Sequence, residues 1–338
     1  MAKETDIAHL LDKLEPRFRD AFLAAIREIV SKARIAEIAR SLERGDIQGA
    51  VEALYVDEAA FRVFEREIGQ AFEAGGVVTI DGLGELREPR GGRFVVRFNV
   101  RNPRAEAWLR DHSSHLVTRI ADEQRTVVRH HLVSGMEAGR NPRSVALDVV
   151  GRINKTTRRR EGGVVGLSLP QEEAVRRARN ELASGDFAEY LRRARRDKRF
   201  DRSIAKAIKD GKPLTGEQIT KIVNRYSDSL LKLRGETIAR TEALASLHAA
   251  QYEALRQLVD TGKVTASQIR RVWDSAGDLR VRTSHRLADG QSVGLDDDFV
   301  MPSGVRMRYP GDPRGGPAEV VNCRCHVKVR IDFLANVR

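Results

Sequence analysis

Apolar side chains recur at Leu10, Leu14, Phe18, Phe22, Ile26 and Ile29, three or four residues apart with charges between them. That period keeps one face of a helix apolar, so a helix is predicted over residues 7–42, with Pro16 as a point of division. Gly45-Asp46 interrupts the pattern. Leu54, Phe61, Phe64, Ile68 and Phe72 then predict a second helix over 48–73, packed antiparallel to the first. From Gly75-Gly76 the period shortens: residues 77–80 are β-branched, and Phe94, Val96, Phe98 and Val100 alternate with Val95, Arg97 and Asn99, as in a half-buried strand. The loop between holds Gly82, Gly84, Pro89, Gly91 and Gly92. Neither their spacing nor a following helix fits a phosphate cradle, so a β-hairpin is expected at about 76–100.

Asn102-Pro103 supplies an N-cap and a first-turn proline to a long helix ending near Ala138, with Leu109, Leu116, Ile120, Val127 and Met136 on its buried side. Asn141-Pro142 opens the next helix by the same device. Arg158-Arg159-Arg160 and Gly162-Gly163-Val164-Val165-Gly166 form the best candidate linker, followed by short helices over 170–183, 186–196 and 202–209. Thr215-Gly216-Glu217-Gln218 fits a capping box. Ile219, Ile222, Tyr226, Leu230 and Leu233 line one face up to Gly235, and Ile238, Leu244 and Leu247 continue a helix toward Leu258. On it, Arg240 and Glu242 project to different faces, while Glu236 can reach Arg240 one turn away. The rest is dense in turn formers such as Asp289-Gly290 and Pro310-Gly311, which exclude a long helix. The fold class is therefore α+β: mostly helical amino-terminal and middle regions with a β-hairpin insert, and a small turn-rich α+β carboxy-terminal module. The expected divisions are a helical domain 1–160, a basic helical region 161–235 and the module 236–338.

A chain of 338 residues has room for two or three cores. Few aromatics and abundant charge suit helices with small aliphatic cores. No apolar run approaches the roughly 20 residues that cross a bilayer, and the charged start lacks the apolar core of a secretory signal, so no membrane partner is expected. The two cysteines, one residue apart, cannot staple a long loop, which argues for a reducing compartment. The net charge is +12, and residues 152–212 hold 18 lysines and arginines against 9 acidic residues. Arg176, Arg177, Arg192, Arg193, Arg195, Arg196, Lys198 and Arg199 are the candidate DNA contacts, indifferent to sequence because they would neutralise phosphates. They can equally pair with neighbouring Asp and Glu. No aromatic interleaving or helix-turn-helix signature accompanies them. His112 and His115 share a helix face that a metal could bridge, but with no matching carboxylate motif they read as solvent-facing polar residues, as do His130 and His131.

Both cysteines, Trp273 and many polar side chains fall between 273 and 325, and this block admits three readings. His285, Cys323 and Cys325 could hold zinc, with Asp312, His326 or water as fourth ligand, although paired cysteines usually stand two or more residues apart and two small thiols also suit a compact core. His285 with Asp289, and Asn322 with His326, vaguely resemble a histidine-based, metal-dependent nuclease, but the gap from His285 to Asn322 is too long. No Ser-His-Asp order, phosphate loop or paired carboxylates stand out, so no enzyme is expected. In the third reading the polar residues satisfy one another and the turns, making a rigid docking unit.

The order Arg240-Thr241-Glu242, Trp273-Asp274, Arg282-Thr283-Ser284-His285, Asp289-Gly290-Gln291, Tyr309-Pro310-Gly311-Asp312-Pro313 and Asn322-Cys323-Arg324-Cys325 resembles the phage Mu F-type minor head protein family, also called the head-morphogenesis family, over about 237–327. Arg196-Asp197-Lys198-Arg199-Phe200 also looks like such proteins. The resemblance implies a minor head protein of a tailed phage or prophage, in the host cytoplasm during assembly and then in the virion head at the portal vertex. Its partners would be the portal protein, other head proteins and DNA. It implies no cofactor and carries over no catalytic residue. It marks Arg240, Thr241, Glu242, Trp273, His285, Asp289, Gly290, Gln291, Tyr309, Pro310, Asn322, Cys323 and Cys325 as structural or interaction positions, with the segment from Arg240 to Glu242 facing the carboxy-terminal block. The alternative is a metal-dependent nuclease or toxin-like effector using the His285, Cys323 and Cys325 region, since similar modules are found joined to toxin domains. Only 330–338 follow the last expected strand, which favours the bare head protein.

Overall fold

The computed structural model describes residues 5–84, 86–87 and 92–332. In chain order it contains α1 (Thr5–Lys32), α2 (Ile35–Glu43), α3 (Ile47–Glu52), α4 (Arg62–Gly82), the hairpin β1 (Leu86–Arg87) and β2 (Arg93–Phe94), α5 (Pro103–Glu137) and α6 (Pro142–Val150). There follow the hairpin β3 (Arg152–Ile153) and β4 (Arg160–Glu161), then α7 (Leu169–Ser184), α8 (Phe187–Arg192), α9 (Asp201–Asp210) and α10 (Gly216–Asp260). The carboxy-terminal block holds β5 (Ile269–Asp274), α11 (Thr283–Leu287), β6 (Ser292–Gly294), β7 (Phe299–Val300), β8 (Arg306–Met307), α12 (Gly316–Val320) and β9 (His326–Ile331). The result is a mostly helical α+β fold with small antiparallel sheets. No described helix is long and apolar enough to cross a membrane.

The chain sorts into two compact units. One comprises Met1–Phe22, Val63–His115 and Glu236–Arg338; the other comprises Leu23–Arg62 and Leu116–Gly235. The division 1–160, 161–235 and 236–338 follows composition, whereas α1, α5 and α10 each contribute residues to both units.

In the first unit, α1 and α4 run antiparallel. Phe18 and Phe22 meet Phe64 edge-on, and Arg17 pairs with Glu67. Pro16 does not divide α1; the break falls at Ala33-Arg34. Buried Leu11, Leu14, Phe18 and Phe22 continue the stripe across the proline. At about 1.5–3 kcal/mol per buried side chain, that stripe outweighs a proline's cost of about 3 kcal/mol. The predicted helix 48–73 is two helices, because Tyr55 takes a left-handed φ of 56° and Asp57 caps a fresh turn at Ala59.

Residues 77–80 are helical, where a strand was expected. Gly75 and Gly76 lie inside α4 as points of close approach: a Cβ on Gly75 would stand 2.9 Å from the Leu247 carbonyl oxygen of α10, and one on Gly76 2.3 Å from the Phe98 ring. Burial of Thr79 and Ile80 then carries the helix through β-branched sequence. The hairpin itself is short, pairing Leu86 with Phe94 and Arg87 with Arg93; Pro89 and Gly91 lie outside the described residues. Beyond Phe94 the alternation survives as burial but not as a ladder. Asn99 instead exchanges both its backbone groups with the Gln257 side chain of α10, at 2.8 and 2.9 Å.

In the second unit the expected linker is core. Val164, Val165 and Leu167 are buried, and Gln124, Ser227, Asp228 and Arg234 all bind backbone between Gly162 and Leu167. Gly163, at φ 102°, passes so close to Gly151 that a Cβ would lie 2.8 Å from its nitrogen; the glycines here serve tight packing, not flexibility. Nor are His130 and His131 merely solvent-facing, since both reach the buried Glu172 carboxylate, at 2.9 and 2.7 Å. Close by in sequence, Arg140, Arg152 and Arg179 converge on Asp148. Burial alone would raise the Asp148 pKa, but the three guanidiniums hold it below the usual carboxylate range.

The carboxy-terminal sheet has the order β6-β5-β9, all antiparallel, with Trp273 opposite Val327 and Arg271 opposite Val293 and Val329. Ile269, Arg271 and Trp273 share the buried face of β5. An arginine can sit there because its guanidinium is fully employed. It donates to the carbonyls of Gly294, Asp297 and Arg308 and lies over the rings of Tyr252 and Phe299, at 5.1 and 5.3 Å.

This packing sets two expectations for stability. Gly75→Ala should destabilise by about 1–3 kcal/mol because it overpacks against the backbone of α10, while Gly69→Ala in the same helix, whose Cβ would meet nothing within 4 Å, should be neutral or stabilising by up to about 1 kcal/mol. Denaturant unfolding separates them, and equal effects would contradict the close-approach account. Arg271→Met, which leaves three carbonyls without their donor, should lose about 2–4 kcal/mol in the same assay; a loss within about 0.5 kcal/mol would show that those carbonyls find other partners.

Candidate functional site

The densest cluster of chemically capable side chains lies where α11 meets the chain after α12. The Nδ1 atom of His285 sits 3.3 Å from the Cys325 sulfur and 3.5 Å from that of Cys323. All three residues are about 1% exposed. Asn322, at φ 56°, turns the chain into Cys323-Arg324-Cys325. Both sulfurs face the imidazole, while Arg324 between them reaches Asp278. The Nε2 atom of His285 lies 3.0 Å from the Glu319 carboxylate without hydrogen-bond geometry, and that carboxylate accepts from Ser284 and Ser303. The neighbouring sulfur and burial push the Cys325 thiol well above its ordinary pKa. Trp273 closes the cluster, edge-on to His285 at 5.1 Å and to Phe299 at 5.3 Å.

The expected fourth ligands do not join. Asp312 accepts from the Arg308 and Arg314 amides, at 2.7 and 3.0 Å, and from the Arg314 guanidinium. His326 lies edge-on to His248, at 5.7 Å. Of the nuclease-like positions, the Asp289 carboxylate accepts the Ser275 amide at 2.7 Å, and the Asn322 backbone amide donates to the Thr241 hydroxyl at 3.1 Å.

Gln291, Gly290 and Pro310 take part in hydrogen bonds to or from the backbone. Gln291 receives the Val300 amide and donates to its carbonyl, at 2.7 and 3.0 Å, imitating a strand with its side chain. Gly290 takes the left-handed backbone expected of it, at φ 76°, and donates to the Trp273 carbonyl. The Pro310 carbonyl accepts from His248 Nδ1 at 2.9 Å, which requires the proton on that nitrogen. Burial pushes the His248 pKa down to about 3, with His326 adding to the effect, so the ring stays neutral. Burial raises the Tyr309 hydroxyl pKa as well.

The segment from Arg240 to Glu242 does not face the carboxy-terminal block as a unit. Its three side chains point three ways: Arg240 clamps Glu15 of α1 at 2.8 Å, Thr241 receives Asn322, and Glu242 meets His112 of α5 at 2.9 Å. His112, read from sequence as solvent-facing, is stacked on Trp108 at 4.4 Å. The face of α10 that meets the block carries Thr241, Ala245, His248 and Tyr252, spaced by four, three and four residues; the close contact at Ala245 is with Gly311. That spacing is legible in the chain, but the aliphatic run through Leu244 and Leu247 masks it. Arg271 could have been suspected as a charge at an inward strand position. Nothing local marks Glu319, whose role depends on a histidine 34 positions away.

Most of the candidate DNA-contacting cations are engaged. Arg176 and Arg177 lie against Glu173, Arg192 against Glu189, Arg193 against Glu181, Arg196 against Asp201 and Arg199 against Asp197. Arg193 and Arg196 are mostly covered, and Arg193 also donates to the Tyr226 hydroxyl. Arg177, Arg192, Arg195, Lys198 and Arg199 are exposed.

Known proteins bear on this arrangement. The family described as phage Mu protein F like protein matches residues 198–328, a span containing the whole cluster and the α10 face against it. The minor head protein GP7 of Bacillus phage SPP1 is 29% identical over 176 residues, covering 51% of this chain and 54% of that protein. The chain thus spans about half the length of this curated relative. No solved structure matches. The motif order, its three-dimensional convergence and these similarities agree: residues 198–328 match the phage Mu protein F-like family.

Proposed function

We propose that the chain is a minor protein of a tailed-phage head, acting in head morphogenesis at the portal vertex through partners docked on its carboxy-terminal block. The observation that carries this reading is the family match over 198–328 together with the likeness to a minor head protein. The geometry supports a binding role over catalysis. His285, Cys323 and Cys325 are about 1% exposed, so no substrate reaches them without rearrangement, and the side chains of Asp289, Gln291 and Thr241 are committed to backbone. Proteomic analysis of purified proheads and virions should find the protein well below the copy number of the major capsid protein, and a portal pull-down should retain it. Absence from proheads and virions alike would overturn the assignment.

Contact with packaged DNA is the finer part of the reading, supported by the exposed cations on and around α8 and α9. Each phosphate neutralised releases counterions, so duplex binding should weaken steeply with salt and ignore sequence. Changing Arg177, Arg192, Arg195, Lys198 and Arg199 together to Gln should flatten the log–log salt slope by roughly one for each phosphate that is no longer neutralised. Arg193 and Arg196 are spared because they hold the unit together. An unchanged affinity and slope would remove DNA from the proposal.

A further inference from the structure

We infer that His285, Cys323 and Cys325 bind one zinc ion that clasps the carboxy-terminal block. The three donor atoms lie within 4.8 Å of one another. Tetrahedral zinc, with bonds of about 2.3 Å to sulfur and 2.0–2.1 Å to nitrogen, sets N···S edges at about 3.6 Å and the S···S edge at about 3.8 Å. The two N···S separations here are 3.3 and 3.5 Å. The cage is therefore close to the size of the ion, and small movements of three side chains would close it.

The surroundings are those of a ligand set rather than of buried apolar thiols. Imidazole ligands are commonly oriented by a carboxylate on their second nitrogen; Glu319, fixed by Ser284 and Ser303, stands 3.0 Å from the otherwise unpartnered Nε2 of His285, so a small rotation would complete that bond. The Cys325 amide points at the Cys323 sulfur, at 3.5 Å, as suits a thiolate. The single residue between the cysteines, shorter than the usual spacing of paired zinc ligands, still lets both sulfurs face the imidazole. No other described His, Cys, Asp or Glu completes the group, so the fourth corner falls to a water molecule. Such a site has a structural use: strands and turns from 283 to 325 would be joined by bonds where few ladder hydrogen bonds exist.

The full-length protein, purified without added metal or chelator, should carry close to one zinc per chain by elemental analysis. Exchange into Co²⁺ should produce thiolate-to-cobalt charge transfer and the visible bands of a tetrahedral ion. The double variant Cys323→Ser with Cys325→Ser should lose the metal and the charge-transfer band; should it fail to fold, the cobalt spectrum of the unaltered protein still decides. Folded protein that holds no zinc and gives no such band with Co²⁺ would overturn the inference, as would undiminished zinc in the folded double variant. Neither result touches the head assignment, which rests on family likeness and is tested in proheads and virions.

Discussion

Peptide groups in irregular backbone need hydrogen-bond partners wherever water is partly excluded, and the carboxy-terminal block has few ladders to supply them. Side chains meet that need. Arg271 serves three carbonyls, Gln291 both groups of Val300, Asp312 two amides, and Thr241 and His248 reach from α10 to Asn322 and Pro310. Each polar atom so placed is correct for one backbone conformation and costly for any other, which is how a turn-rich segment acquires a single shape. The motif residues thus explain themselves as fasteners, and a surface held this firmly is suited to docking.

The same economy runs through the helical parts. Gln257 takes the place of a strand partner for Asn99, and Gln124, Ser227 and Arg234 hold the glycine-rich segment around 162–167 in the second unit. Glycines appear where two backbones must nearly touch. Buried carboxylates such as Asp148 and Glu172 are surrounded by arginine or histidine and stay soluble in the core on those terms. Of the 18 lysines and arginines in residues 152–212, twelve are exposed and six are partly covered, so most of the basic character of this stretch faces outward even where it is paired with acidic neighbours.

What the chain revealed before its structure was known depended on range. Local signals held: the Asn-Pro helix starts at 102–103 and 141–142, the capping box at Thr215, and the turn at Asp289-Gly290 all stand where residue chemistry placed them. Errors came where a distant partner decided. Pro16 stayed helical because a buried stripe spans it, residues 77–80 stayed helical because Gly75 abuts Leu247, and the supposed linker was core because four side chains from elsewhere bind it. For the candidate site, the motif order marked His285 and both cysteines, the Thr241-to-Tyr252 face was masked by the aliphatic run beside it, and Glu319 could be seen only once the chain was folded.

The account stands on side chains securing irregular backbone, and amide hydrogen exchange reads that directly. The amides of Ser275, Val300, Arg308 and Asn322 belong to turns, loops or a two-residue strand, yet each donates to a side chain, at 2.7 to 3.1 Å. Protection at these four comparable to that of the central strand Ile269–Asp274 is the expected result. Exchange at the rate of open loops, with the strand still protected, would mean that the side chains merely decorate a mobile surface and that the block is not the rigid unit described.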